Sequence, residues 1–382
     1  MISTTFRLPT RIRLAAGAVN EVQRYCQDLG HRPLIVTGRR WARESGTLDL
    51  VMNQCANAVL FEGVAENPPD TVCDAAAEVC RTEGCDSVIA LGGGSVIDVA
   101  KGIAGLAMNP GRCRDFYGRD RFAQGALPLL AIPTTAGSGS ETTPYAVLVD
   151  GEKRAKVTLA GDVLFPRVAL LDPQLTLSLP REITLATGLD ALSQAMEGYV
   201  SRNATVLGDI LAIEVCRLIC RWLPRALHTP DDLEARSQLM HAATLSGIII
   251  AQSGTTLAHG LGYYLTLRHG MLHGLANAVL LAPLFAYNAA HVPDKVAAIA
   301  DAMGFPPAPS EDGPAQAIVI ALQDLFRRID FSGAARDYGV PEAVLRGYAE
   351  DIVEDPYRFK NQPGSPGGDE IHAILERAWE GV

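Results

Sequence analysis

Along the first half of the chain, short apolar runs alternate with stretches whose apolar residues recur every three or four positions. The runs at 34–37, 58–62, 87–91, 129–133, 146–149 and 168–171 have the length of buried strands. The stretches at 71–82 and 95–108 carry Ala, Val and Ile at helical spacing. Strands alternating with helices predict a parallel sheet with helices on both faces. After Pro180 the texture changes. The stretches 190–200, 207–222, 233–251, 272–286 and 315–328 all read as helices, and no convincing strand follows Asp172. Pro224 should end or kink the second of these helices. The expected organisation is an α/β domain over 1–180 and an all-helical domain over 181–382. The Gly and Pro density of 356–369 predicts a surface loop.

Composition narrows the function classes. The 382 residues hold 33 Lys and Arg against 43 Asp and Glu, a formal charge of −10. That balance argues against a nucleic-acid or anionic-membrane partner. At 48% hydrophobic the chain can bury a sizeable core. No apolar run approaches the roughly 20 residues of a membrane span, and the first ten residues lack the apolar segment of a signal peptide. Eight cysteines are scattered without CxxC pairs, which reads as free thiols in a reducing cytoplasm. A soluble cytoplasmic enzyme is the expectation.

Three features point to a dinucleotide. The apolar run 87–91 leads into Gly92, Gly93, Gly94 and Ser95, where a backbone free of side chains can approach a ligand. The helix that follows aims its first amides at that ligand, which suits a pyrophosphate. A strand–helix turn rich in glycine for packing alone is the competing reading. Asp98 and Lys101 lie one turn on and would by default be a solvated pair. Next, Thr134, Thr135, Ser138 and Ser140 crowd hydroxyls and glycines after the run 129–133, which suits ribose or phosphate oxygens. Finally, the run 34–37 ends in Gly38, Arg39 and Arg40. An acid there would favour a free ribose 2′-hydroxyl, whereas two guanidinium groups favour NADP(H) over NAD(H).

A metal site is hinted at in the helical half. Asp190 and Gln194 are four residues apart and share a helix face. His259 and His273 follow in similar Leu-x-His-Gly or Leu-His-Gly contexts. One carboxylate and two imidazoles, if convergent, suit zinc or iron(II). Spacing alone leaves His228, His241 and His269 as equal candidates.

Read together, these motifs resemble the iron-containing (group III metal-dependent) alcohol dehydrogenase family. The likeness runs in order through 6–10, 66–69, 92–101, 133–141, 187–192 and 273–277. It implies an α/β N-terminal dinucleotide-binding domain with a parallel sheet, an all-α C-terminal domain that binds metal and substrate (a dehydroquinate synthase-like architecture), and an active site in the cleft between. It also implies a homodimer or larger assembly, a divalent metal, and reversible hydride transfer between nicotinamide and a primary alcohol or aldehyde. The family holds its metal with an Asp, a His four residues later and two further His. The carry-over gives Asp190, His259 and His273, with Gln194 in place of the first imidazole. The family often has another His four residues beyond the His259 position, near the nicotinamide; here it is Tyr263, which can relay a proton or simply pack. The resemblance places the nicotinamide against Thr134, Thr135 and the glycine–serine loop, and aligns Lys156 with a basic position of the family. Arg268 and His269 fall in a variable stretch and would favour an anionic aldehyde only if they faced the site. A metal-free reductase akin to maleylacetate reductases is the alternative.

Overall fold

In the computed structural model each of the six apolar runs is a strand. The structure describes residues 5–153 and 155–381, and its chain falls into two units, Leu8–Ser178 and the stretch from Leu179 onward, which also takes in Arg7. Positions 1–4 of the segment read for a signal peptide lie outside the described residues.

The first unit runs β1 (Arg11–Leu14), α1 (Val22–Leu29), β2 (Pro33–Gly38), α2 (Trp41–Glu44), α3 (Thr47–Gln54), β3 (Val59–Val64) and α4 (Asp70–Thr82). It continues β4 (Ser87–Gly92), α5 (Gly94–Met108), β5 (Gly118–Arg119), β6 (Leu129–Pro133), β7 (Tyr145–Asp150), β8 (Ala155–Ala160) and β9 (Val168–Leu171). Six strands form one sheet in the order β1-β9-β6-β4-β2-β3, every pair parallel. Alternation within the strands divides the core. Leu34, Val36, Val88, Ala90, Leu129 and Ala131 pack with Cys73, Ala76, Ile97 and Ile103 of α4 and α5. Ile35, Ile89, Leu91, Leu130 and Ile132 pack on the other face with Val22, Tyr25, Leu48 and Val51. Chain order reverses between β2 and β4, so their carboxyl ends flank the switch point at which such sheets bind ligands.

The run 146–149 is not part of this sheet. It pairs antiparallel with β8, and β5 adds to β8, in a separate three-stranded sheet. Three strands had no clear pattern: β1 alternates Arg with Ile and Leu at an edge, β5 has two residues, and β8 is only partly buried along most of its length.

The second unit is helical: α6 (Arg181–Val200), α7 (Val206–His228), α8 (Leu233–Ser253), α9 (Leu257–His269), α10 (His273–Ala289), α11 (Pro293–Ala302), α12 (Gly313–Arg328), α13 (Leu345–Glu354) and α14 (Gly368–Glu380). No strand occurs among its described residues. Helix α7 does not stop at Pro224. A proline there has no N–H for the Cys220 carbonyl, and Arg328 Nη2 donates to that oxygen instead, at 3.0 Å. Buried Leu223 and Ala226 on either side of Pro224 hold the helix to the core. The stretch 356–369 is also less open than its composition suggests. Asn361 and Gln362 are buried, and the Asn361 amide donates to the Thr255 carbonyl at 3.1 Å. None of the described helices is long and apolar enough to cross a membrane.

Candidate functional site

Helix α6 is the spine of the candidate metal site. Asp190, Gln194 and Glu197 follow one another at three- and four-residue intervals and so lie on one face; all three are buried. Helices α9 and α10 bring His259 and His273 to that face. At Gly274 any Cβ would overlap the Ala186 carbonyl oxygen and lie 2.9 Å from the Asp190 Cβ. A glycine after His273 therefore lets the start of α10 rest directly on α6.

Asp190, His259 and His273 each offer one ligand atom, and these atoms all lie within 4.8 Å of one another. Asp190 Oδ1 is 3.6 Å from His259 Nε2 and 3.9 Å from His273 Nε2. The amide nitrogen of Asn277, one turn after His273, sits among them: 3.2 Å from Asp190 Oδ1, 3.2 Å from His259 Nε2 and 3.3 Å from His273 Nε2. Tyr263 stacks on His273, ring centroids 5.3 Å apart and planes 9° from parallel. His228 and His241 are exposed, and His269 is 2.6 Å from the Tyr348 hydroxyl; none of the three joins the cluster.

Glu197 completes the site from behind. Its carboxylate accepts from the Thr256 amide at 2.9 Å, the Thr256 hydroxyl at 2.8 Å, the His259 amide at 3.2 Å and the His259 Nδ1. The same carboxylate thus caps the N-terminus of α9, where a negative charge is favoured, and fixes the tautomer of His259. With Nδ1 donating to Glu197, Nε2 is the ring nitrogen left facing Asp190 and His273. Metal-ligating histidines almost always donate their other ring N–H to a carboxylate, carbonyl or water in this way. One carboxylate and two imidazoles, one of them so oriented, fit a divalent transition metal.

Electrostatics agree with the geometry. Burial alone would lower His259, but the Glu197 charge and the bonds to Asp190 and Glu197 outweigh it and push the imidazole up to about 10. Burial would raise Asp190 and Glu197, yet the histidines hold both carboxyls below their ordinary values.

In the first unit the glycine loop is tightly packed. A Cβ on Gly94 would lie 2.6 Å from the Ser138 hydroxyl, and one on Gly93 would lie 3.2 Å from the Thr135 side chain. These glycines therefore serve the close approach of the 134–140 loop, and none of the residues 92–94 has a positive φ. The Thr134 amide donates to the Gly92 carbonyl at 3.1 Å. Helix α5 has no side-chain N-cap, so its first amides, at Gly94 and Ser95, face outward from the helix end.

Lys101 is not solvated; it is fully buried. Its ammonium donates to the Ser140 carbonyl at 2.6 Å, the Ser140 hydroxyl at 2.9 Å, the Thr143 hydroxyl at 2.9 Å and the Tyr145 carbonyl at 2.6 Å. Burial pulls it down to about 8, against the charges of Asp98 and Glu141. Asp98 is likewise bound into the scaffold, accepting from the Ser140 hydroxyl at 2.6 Å and the Val147 amide at 3.0 Å. Lys156, half-buried, donates to Asn67 Oδ1 at 2.6 Å, and burial lowers its ammonium too. At the end of β2, Arg39 and Arg40 are exposed, and Arg39 Nε donates to the Gly63 carbonyl at 3.4 Å. Arg268 lies beside the stacked Tyr264 and Tyr348 rings, 4.8 and 4.9 Å from their centroids, and pairs with Asp351 at 3.1 Å.

Residues 9–173 match the family model of iron-containing alcohol dehydrogenases, and residues 184–379 match the C-terminal model of that family. The chain belongs to the iron-containing alcohol dehydrogenase family. Within it, the 1,3-propanediol dehydrogenase of Citrobacter freundii is 34% identical over 374 residues, covering 95% of this chain and 95% of that protein. The NAD-dependent methanol dehydrogenase of Bacillus methanolicus is 30% identical over 357 residues, covering 92% and 94%. A crystal structure of 1,3-propanediol oxidoreductase superposes with a TM-score of 0.94 at 31% identity, covering 98% of this chain and all of that one. Iron-containing alcohol dehydrogenases are oxidoreductases acting on CH–OH groups.

Sequence reading missed three residues of this family member: Glu197, Asn277 and Lys101. Two were signalled by spacing. Glu197 is seven residues beyond Asp190 on the same helix, and Asn277 is four beyond His273. A buried role for Lys101 had no signal beyond an apolar surround.

Proposed function

We propose that this chain catalyses reversible hydride transfer between a nicotinamide dinucleotide and a primary alcohol or its aldehyde, with Fe(II) or Zn held by Asp190, His259 and His273. The observation that carries this reading is the convergence of those three ligand atoms within 4.8 Å, with the Nδ1 of His259 held by Glu197. When bound, the metal supplies a Lewis acid to the carbonyl or alkoxide oxygen.

The chain's own residues do the rest. Glu197 keeps His259 in its ligating tautomer, and the Asn277 amide, which donates to Asp190 Oδ1 at 3.2 Å, helps to orient that carboxylate. Tyr263, braced on His273, holds a phenolic proton for relay to or from the substrate oxygen. In the first unit, the uncapped start of α5 and the hydroxyls of Thr134, Thr135 and Ser138 suit the pyrophosphate and ribose of the cofactor. Asp98, Lys101 and Ser140 brace that loop from below. Exposed Arg39 and Arg40, with no acid at the end of β2, favour NADP(H) over NAD(H). Lys156 lies on β8, part of the cofactor-binding unit. The exposed apolar residues Val206, Leu207 and Ile210 at the start of α7 support a homodimer or larger assembly. Eight free cysteines, seven of them buried, support a reducing, cytoplasmic setting.

Oxidation of NADPH and NADH with short aldehydes tests the reading. Turnover is expected with both, faster with NADPH, and the double variant Arg39→Ala, Arg40→Ala should remove the NADPH advantage. No turnover with any aldehyde would overturn the reading.

A further inference from the structure

Gln194 stands where the family's pattern has a metal-ligating imidazole, and its side chain is committed elsewhere. Its amide nitrogen donates to Asp190 Oδ2 at 3.2 Å, and its carbonyl oxygen accepts from the Ser246 hydroxyl at 2.9 Å. Which end of the amide faces Asp190 is settled by chemistry. A carboxylate is an acceptor only, so the NH₂ must face it, because a carbonyl oxygen there would meet like charge. The carbonyl is thereby directed at the fully buried Ser246, whose hydroxyl shares its one proton between Gln194 and the Ala243 carbonyl, 2.8 Å away. The two oxygens of Asp190 are divided as a result. Oδ2 is held by Gln194, while Oδ1 faces His259 Nε2, His273 Nε2 and the Asn277 amide.

From this division we propose that Gln194 is a positioning residue and not a ligand. A buried chain, Ser246 to Gln194 to Asp190, fixes the rotamer of the carboxylate, and the protein holds its metal with three residues alone: Asp190, His259 and His273. The family's fourth ligand has become an outer-sphere support, comparable to what Glu197 does for His259. The proposal rests on the metal reading given above. It makes Ser246, acting through Gln194, a determinant of metal affinity.

The test uses the full-length protein stripped of metal. Zinc affinity is measured by competition with a chromophoric chelator, and the visible absorption of the cobalt(II) form reports the inner coordination sphere. The variants are Ser246→Ala, Gln194→Ala, the double variant and Asp190→Asn. Ser246→Ala and Gln194→Ala are each expected to weaken zinc binding by about 10- to 100-fold. Both should leave the cobalt band positions and intensities those of the wild type, and the double variant should lose no more than Gln194→Ala does. Asp190→Asn, which removes a ligand, should change the cobalt spectrum itself.

A changed cobalt spectrum in Gln194→Ala, or unchanged zinc affinity in Ser246→Ala, would overturn the proposal and return Gln194 to the ligand set. Ser246→Ala removes one oxygen from a packed helix, so it keeps the test decisive if Gln194→Ala proves unstable. Failure of the wild type to take up zinc or cobalt would overturn the metal reading itself, and this proposal with it.

Discussion

Glu197 and His259 form a fully enclosed carboxylate–imidazole pair that joins α6 to the first turn of α9, 62 residues later in the chain. Every group that contacts the Glu197 carboxylate is a donor: two backbone amides, a threonine hydroxyl and a ring N–H. Only an acceptor-only side chain satisfies all four. Replacing Glu197 with Gln keeps the shape but turns an NH₂ toward a donor. Glu197→Gln is expected to lower metal affinity by roughly 10- to 100-fold, checked by chelator competition on the folded variant.

The same pair sets how the metal-free protein responds to pH. His259 rises from 6.5 to about 10 on folding, so its contribution to stability is complete below about pH 6.5 and is lost as pH climbs through about 10. Asp190 and Glu197 are lowered, so their contribution is present above about pH 4.5 and is lost as pH falls below their ordinary values. Urea denaturation should find this cluster's stabilisation greatest at about pH 4.5–6.5, with a steady decline toward pH 10. A metal must displace the proton on His259 Nε2. Calorimetry at pH 8 in buffers of different ionisation heat should therefore show about one proton released per metal bound.

Lys101 holds the loop between β6 and β7 from inside the unit. Lys101→Met fills the space but leaves the Ser140 and Tyr145 carbonyls without their buried donor and Asp98 without its nearest cation. A loss of about 3–5 kcal/mol is expected in denaturant titration of the first unit's transition, with weaker cofactor binding as the loop loosens.

Tyr263 offers a cleaner probe of proton transfer, because Phe keeps the stack on His273 and removes only the hydroxyl. Tyr263→Phe should lower kcat by about 100-fold with KM changed little. Tyr263→His should recover part of the rate and bring a new limb near pH 6.5 to the kcat profile. An unaltered kcat in Tyr263→Phe would assign the tyrosine to packing.

Much of this was legible in the sequence because the physics is local. Strands buried on both faces, such as 87–91 and 129–133, must be apolar throughout, and helices of a bundle must repeat every three to four residues. Asp190, His259 and His273 were picked out by their likeness to the family's motifs, because spacing alone left three other histidines as equal candidates. What did not show depends on partners far along the chain. Pro224 reads as a stop or a kink, and nothing near it in sequence announces that Arg328 takes over the Cys220 carbonyl. Lys101 reads as a surface charge until the 140–145 segment closes over it. The contact between Gln194 and Ser246, 52 residues later, likewise left no mark in the sequence. Strand β1, RIRL at a sheet edge, is too polar to announce itself.

The central claim is a functional metal at Asp190, His259 and His273. Its most direct test is elemental analysis of gently purified protein, paired with NADPH and NADH oxidation by short aldehydes before and after chelation. Near-stoichiometric iron or zinc is expected, with activity lost on chelation and restored by adding the metal back. Full activity after complete metal removal would contradict the claim and align the chain with metal-free reductases.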